Sequence, residues 1–345
     1  MADRPTVEHR VIEDVKAVRS LSWSGDSLID WCGGIRKWHA DGSHESSQFS
    51  TPYWFDMAVT SPCGEYVCTA ASKHTKGVIR HRRDSQVKSR EINRSYYFAG
   101  AYSYPVTFAT LADGRTVIIH CPGEYNRLEM EDPVTGERLG YDQQPSRSKD
   151  DLKDVFHSRL SISPSGKWLM SNGWYWHPHE TVELFSVEAA AKNIHHLNKS
   201  ENVAPQPTIS QDARFLPDDR IMIRYAEEWC DVNGKEIPSK ESGETNTVAI
   251  WTIGNKTFDS VSHFQQPMGV LMPIDDRYVV DLFEHPKLID LKTGETLETW
   301  ETIDSGKEQS CISVGKDPPA VAINAAGKRL AVHNNDRIDI LKFGD

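Results

Sequence analysis

The stretch RLSISPSGKWLMSNGWYWHPHETVELFSV, residues 159–187, has two textures. Its flanks alternate apolar and polar residues, the period-2 pattern of half-buried strands, and Ser-Pro-Ser-Gly forms a tight turn inside the first flank. Its middle crowds Trp174, Tyr175, Trp176, His177 and His179 around Pro178. The flanks decide the fold, because their strand-turn-strand phrase recurs along the chain.

The same phrase appears as SLSWSGDSLID (20–30), AVTSPCGEYVCTA (58–70), TFATLADGRTVII (107–119), ARFLPDDRIMI (213–223), VLMPIDDRYVV (270–280) and VAINAAGKRLAV (321–332), which makes seven with ISPSGKWLM (162–170). Aligned on Gly25, Gly64, Gly114, Gly166, Asp219, Asp276 and Gly327, the copies are spaced by 39, 50, 52, 53, 57 and 51 residues. Each copy is followed by a third alternating run: GIRKWHADG, VIRHRRD, RLEMEDPVTG, TVELFSV, VAIWTIG, KLIDLKTG and RIDILKF. Weaker, more charged runs such as VKSREI (87–92), FDSVSHF (258–264) and TLETWETI (296–303) have the character of edge strands.

Four strands per period of about 40–50 residues is the pattern of radial sheet repetition. The sequence therefore predicts an all-β, seven-bladed β-propeller of four-stranded antiparallel blades. Its single domain would span 1–345, with blades starting near residues 19, 55, 105, 158, 211, 268 and 319. The last repeat ends at Asp345 with three strands, so residues 7–13, VEHRVIE, are expected to supply the fourth and close the ring. The chain resembles the WD40-like propeller superfamily. Trp38-His39 and Trp251-Thr252 end the third strands of blades one and five where family members carry Trp-Asp. That resemblance implies a fold and a habit of binding, not a reaction.

Composition limits the function. The net charge of −11 over 345 residues disfavours a partner held by phosphate neutralisation, so nucleic acid is not expected and a basic protein partner is favoured. RHRRDSQVKSREINR (80–94), the concentrated basic run, reads as a charged edge strand. No apolar run approaches the ~18 residues of a membrane span. The opening MADRPTVEHRVIEDVK has no basic segment leading into an apolar one, which points to the cytoplasm. Six scattered cysteines argue for reduced thiols rather than a disulfide scaffold.

Strand alternation puts the b–c loops and d–a connections of every blade on one face. Aromatics collect in these connections, in TPYWF (51–55), YYFAGAYSYP (96–105) and GWYWHPHE (173–180), and EEWCDVNGKEIPSKESGETN (227–246) adds acidity. The expected binding residues are Tyr53, Trp54, Tyr102, Tyr104, Trp174, Tyr175, Trp176, Glu227, Glu228, Trp229 and Asp231, since rigid aromatics anchor interfaces. The expected function is a non-catalytic protein-binding propeller without cofactor, acting as an adaptor or an immunity-type inhibitor. The alternative is a metal-dependent lyase or hydrolase using loop histidines, His177 and His179 first, among His74, His120, His285 and His333.

Overall fold

The computed structural model describes residues 4–39, 41–47, 53–82, 88–141, 152–175, 180–198, 200, 202–205, 209–226, 246–312 and 317–344. β1 (Val7–Ile12) precedes blade one, which is β2 (Ser22–Ser24), β3 (Ser27–Asp30), β4 (Arg36–Trp38) and β5 (His44–Ser46). Blade two is β6 (Met57–Thr60), β7 (Tyr66–Ala70), β8 (Lys76–His81) and β9 (Lys88–Asn93). Blade three is β10 (Val106–Thr110), β11 (Thr116–His120) and β12 (Glu129–Glu131), and blade four is β13 (Leu160–Ile162), β14 (Trp168–Trp174), β15 (Glu180–Ser186) and β16 (Asn202–Val203). Blade five is β17 (Ile209–Phe215), β18 (Ile221–Ala226), β19 (Asn246–Trp251) and β20 (Ser260–Phe264). Blade six is β21 (Leu271–Pro273), β22 (Tyr278–Asp281), β23 (Lys287–Asp290) and β24 (Glu295–Thr299), and blade seven begins with β25 (Val321–Asn324), β26 (Arg329–Asn334) and β27 (Arg337–Phe343).

Each blade is an antiparallel meander, and β1 joins the last in the order β1-β27-β26-β25. The closing pair runs from Val7 opposite Phe343 to Ile12 opposite Ile338. The ring is thus a seven-bladed propeller sealed by its N-terminal strand. No helix among the described residues is long and apolar enough to cross a membrane.

The period-2 pattern works because each blade is apolar on both faces. On β14, Leu169 enters the cluster shared with Ile119 and Met130 of blade three, while Met170 enters the cluster shared with Ile221 and Trp251 of blade five. Equivalent clusters fill the remaining gaps, among them Met272 and Leu330 between blades six and seven and Leu28 and Ala331 between blades one and seven. The a–b turns are linked across blades: Asp219 accepts from the Ser165 N–H at 3.0 Å, and Arg220 and Arg329 reach Asp276 and Asp26, both at 2.7 Å. Asp219 and Gly166 sit at these turns with φ of +67° and +76°, the left-handed bend that a tight hairpin needs.

Blade three departs from the expected four strands. Among the described residues it has three, with an isolated bridge between Glu131 and Arg138. A helix of blade four covers its edge: α1 (Val187–Lys192) and a 3₁₀ turn at Ile194–Leu197 place Ala190, Ile194 and Leu197 against Leu128 and Met130. The helix forms because Ser186 caps the Ala189 N–H and three alanines follow.

The other face is organised by carboxylates at strand ends. Asp30 ends β3 and accepts from the N–H groups of Ser20, Cys32 and Gly33 at 2.9–3.1 Å while pairing with Arg36 at 2.8 Å. Asp281 ends β22 and repeats the device with Gly269, Phe283 and Lys287. Burial raises the pKa of Glu131, but bonds to His120 and Arg90 outweigh it and hold that carboxyl at about 2, below its ordinary 4.5.

Two measurements check this architecture. Removing residues 1–16 reopens β27, so the thermal midpoint falls by roughly 10 °C or more on the usual scaling for a chain of this size; an unchanged midpoint contradicts the closure. Glu131 has a depressed folded pKa, so its stabilisation is present above about 4.5 and is lost as pH falls towards about 2. Glu131→Gln should therefore cost on the order of 3 kcal/mol at pH 7 and almost nothing near pH 2.

Candidate binding face

The connection after β9 is fixed by one buried cation. Arg94 donates to the carbonyls of Ser72, His74, Ala99, Tyr102 and Ser103 at 2.7–3.2 Å, and its guanidinium lies 4.6 Å over the Tyr102 ring and 5.0 Å over Tyr104. A guanidinium carries five N–H donors in a rigid fork, and here it takes up carbonyls of two connections, 72–74 and 99–103. The loop folds back through Ala99 N–H to Tyr96 O and Ala101 N–H to Phe98 O, at 3.1 and 2.8 Å. Phe98 is forced to φ +51°, a costly conformation for a bulky residue. The outcome is an exposed row: Tyr96 is 86% accessible, Tyr97 41% and Phe98 48%.

A graded stack supports that row. Tyr97 lies over Tyr125 and Phe156 at 5.1 and 5.8 Å, and Phe156 stacks on Trp174 at 4.3 Å with 13° between planes. Tyr102 meets Phe156 edge-on at 5.5 Å. Backbone bonds between Phe156 and Trp174 hold the two segments together, and a Cβ on Gly173 would lie 2.4 Å from the Phe156 carbonyl oxygen. Only glycine fits there. Trp54 stands apart, 74% exposed, with the Arg19 guanidinium 3.4 Å above its ring.

The aromatics expected to form this surface therefore divide. Trp54 is exposed, and Tyr53 and Tyr175 are half-buried with hydroxyls donating to Glu91 at 2.6 Å and Glu183 at 3.2 Å. Tyr102, Tyr104 and Trp174 are buried, so as surface anchors they are corrected: they form the packing beneath the face. Trp176, His177, His179, Glu227, Glu228, Trp229 and Asp231 lie outside the described residues. Tyr96, Tyr97, Phe98 and Phe156 were not picked from the sequence. For the row 96–98 the signal was Arg94, the cation that follows the charged strand β9 and leads into the aromatic run. Of the other histidines, His120 bonds to Glu131, His285 to the Ile303 carbonyl and His333 to the Val15 carbonyl, each at the end of a different blade. Among the described residues, no three His, Cys, Asp or Glu side chains are grouped to hold a metal ion.

A second feature of this face had no counterpart in the sequence reading. Blade seven adjoins blade six, yet the segment joining them detours across the ring. Gln309 donates to the Met268 carbonyl at 3.2 Å and its own carbonyl accepts from Arg224 of blade five. Ser310 donates to Glu180 of blade four at 2.5 Å, and Ile312 forms an antiparallel bridge with Tyr102, ahead of blade three. Lys73 of blade two then pairs with Asp317 at 2.6 Å. This strap runs along the entrances of the innermost strands of blades three to six. Arg159, itself at φ +37°, fastens it through Glu308 at 3.0 Å and the Ser310 carbonyl while also holding Asp212 at 3.2 Å. Burial lowers the pKa of Arg159, but Glu308 and Asp212 more than reverse that, so it stays a cation. Burial raises the pKa of Glu180.

No protein-family model matches the chain, and no curated protein matches it in sequence. Solved structures do match in shape. The β-propeller domain of Cps50 (Swd1) from Myceliophteria thermophila is 11% identical, with 97% of this chain and 99% of that one covered and a TM-score of 0.54. Hydrazine synthase from Kuenenia stuttgartiensis is 13% identical, with 95% and 96% covered and a TM-score of 0.54. At such identity the likeness shows the β-propeller fold alone.

The strap contacts give a test. A raised carboxyl pKa in the fold means that Glu180 binds protons more readily folded than unfolded, so its contribution to stability falls as pH rises through that raised value. Glu180→Gln keeps an acceptor for Ser310 and for the Cys311 N–H, and should melt at or above the parent at pH 7. Glu180→Ala leaves those donors unpaired and should be less stable by about 1–3 kcal/mol, melting below the parent. Equal melting of the two variants contradicts the assignment.

Proposed function

We propose that the chain is a non-catalytic propeller that binds a basic protein through the face carrying its b–c loops and d–a connections. The observation that carries this reading is the exposed row Tyr96, Tyr97 and Phe98, held in a strained conformation by a buried arginine. Backbone strain persists where surrounding structure imposes it, and it concentrates at functional sites. An unneeded exposed Phe at positive φ would be replaced at no loss by a small residue. Trp54, in another d–a connection, offers a second exposed ring, and strand alternation would bring the acidic segment 227–246, between β18 and β19, to the same face.

The basic character of the partner rests on the net charge of −11 and on Asp154 beside Tyr125, whose hydroxyl donates to it. A compact binder of this kind suits an adaptor or an inhibitor that masks a partner's working surface. Likeness to the Swd1 β-propeller domain supports the fold and adds no partner.

The experiment is partner capture with the parent chain and with Tyr96→Ala and Phe98→Ala side by side, followed by binding kinetics on the protein identified. Truncating a desolvated aromatic anchor costs about 2 kcal/mol or more, so each variant should dissociate at least about tenfold faster with an unchanged melting point. Neutralising Glu227, Glu228 and Asp231 should instead slow association, most at low salt. A partner that binds parent and aromatic variants with equal rate constants overturns the proposal.

A further inference from the structure

The strap is fixed at one end. Ile303 is fully buried in the core between blades six and seven, and Ser305 donates through its N–H to Glu284 O at 2.9 Å and through its hydroxyl to Leu282 O at 2.7 Å. Gly306 follows at φ +83°, a bend that suits glycine. Beyond it, Lys307–Ile312 is held in a different way. Arg224 and Arg159 donate to the carbonyls of Gln309 and Ser310, Arg159 pairs with the Glu308 carboxylate, and Glu180 accepts from the Ser310 hydroxyl and the Cys311 N–H. Gln309 donates to the Met268 carbonyl, Lys307 pairs with Glu284 at 2.6 Å, and Ile312 bridges Tyr102. These are the contacts by which a cleft reads an extended peptide in trans: arginine forks on main-chain carbonyls, one acidic side chain, and one strand-like pairing. Cys311 is the one fully buried apolar side chain in this piece, at 1% accessibility.

The arginines that hold the strap are also held without it. Arg159 keeps Asp212, and Arg224 keeps the Gly269 carbonyl at 2.9 Å and Asn246 at 3.0 Å. Departure of the strap therefore strands no buried cation, the cost that normally makes such a latch permanent. With the strap removed this surface presents Arg159, Arg214, Arg224 and Lys287 against Asp212, Glu180 and Asp281, an excess of one positive charge on an acidic protein.

We propose that Lys307–Ile312 is an exchangeable occupant of a peptide-binding cleft on this surface, and that the cleft takes an extended partner segment with a carboxylate at the Glu308 position. This cleft is separate from the aromatic row, so its failure leaves the reading above standing.

Cys311 reports strap opening directly. Native protein is treated with a thiol reagent and labelling is followed residue by residue by mass spectrometry, with exposed Cys63 as the fast reference and buried Cys32, Cys68 and Cys121, which lie within or at the ends of blade strands, as the slow ones. The probe is a synthetic peptide of residues 306–312 with serine at 311, and its control carries glutamine at 308. Cys311 should be labelled at least tenfold faster than the slow set, because a local opening precedes global unfolding. Millimolar probe should raise that rate at least threefold by holding the cleft open, and the control should not. Labelling of Cys311 at the pace of the slow set overturns the proposal. Fast labelling that the probe leaves unchanged, or that probe and control raise equally, overturns it too.

Discussion

Every blade of this ring is apolar on both faces, so no blade buries its side chains alone and the last interface can form only if the first and last blades meet. That requirement gives the β1–β27 pairing its weight. The six residue pairs from Val7–Phe343 to Ile12–Ile338 complete a sheet and also fix the distance between blades seven and one, where Leu28, Trp38, Ala331 and Ile338 pack. An open ring would leave that cluster and one strand edge in water. Closure also sets the frame for both faces, since the a–b turns can trade bonds such as Arg329 to Asp26 only when blade seven abuts blade one.

Connections on the opposite face have no sheet to satisfy their carbonyls, and the chain answers with buried arginine. Arg94, Arg159 and Arg224 each donate to main-chain oxygens of segments that run between blades. Lysine, with one point of charge on a flexible stem, would not replace a planar fork that spans several carbonyls. Carboxylates outweigh the cost of burial for Arg159; for Arg224 burial still lowers the pKa despite Asp212, Asp281 and Glu180 nearby, and Arg94 lies over the Tyr102 and Tyr104 rings. Aromatic residues that resembled a binding surface are therefore the counter-surface of a structural cation.

This explains what was legible in the sequence. Strands announce themselves by period 2, so the seven hairpins, the third strands and the closing strand could be read from alternation and a count. The edge of blade three could not, because the helix that covers it belongs to the next repeat, although Ser186 and the run Val187-Glu188-Ala189-Ala190-Ala191 carry an ordinary capping signal. Loops have no period. In YYFAGAYSYP nothing local tells which rings face outward, and the outcome turned on Arg94: Tyr102 and Tyr104 are drawn beneath it while Tyr96, Tyr97 and Phe98 are turned out. The strap was hidden for the same reason, since its partners lie up to about 210 residues away and share no pattern with it.

The exposed row and the strap rest on one support. Phe156, Trp174 and Tyr102 form a buried cluster with Cys311, and Tyr97 and Phe98 lie against Phe156 from outside while Ile312 of the strap bridges Tyr102. If the strap leaves, Cys311 leaves that cluster and Tyr102 loses its backbone partner, so the rings under Tyr97 and Phe98 gain freedom. If a partner clamps Tyr97 and Phe98, the cluster is stiffened and strap release costs more. Positive φ at Phe98 and at Arg159 thus falls on either side of this shared cluster, in the residues that hold the row and the strap against it.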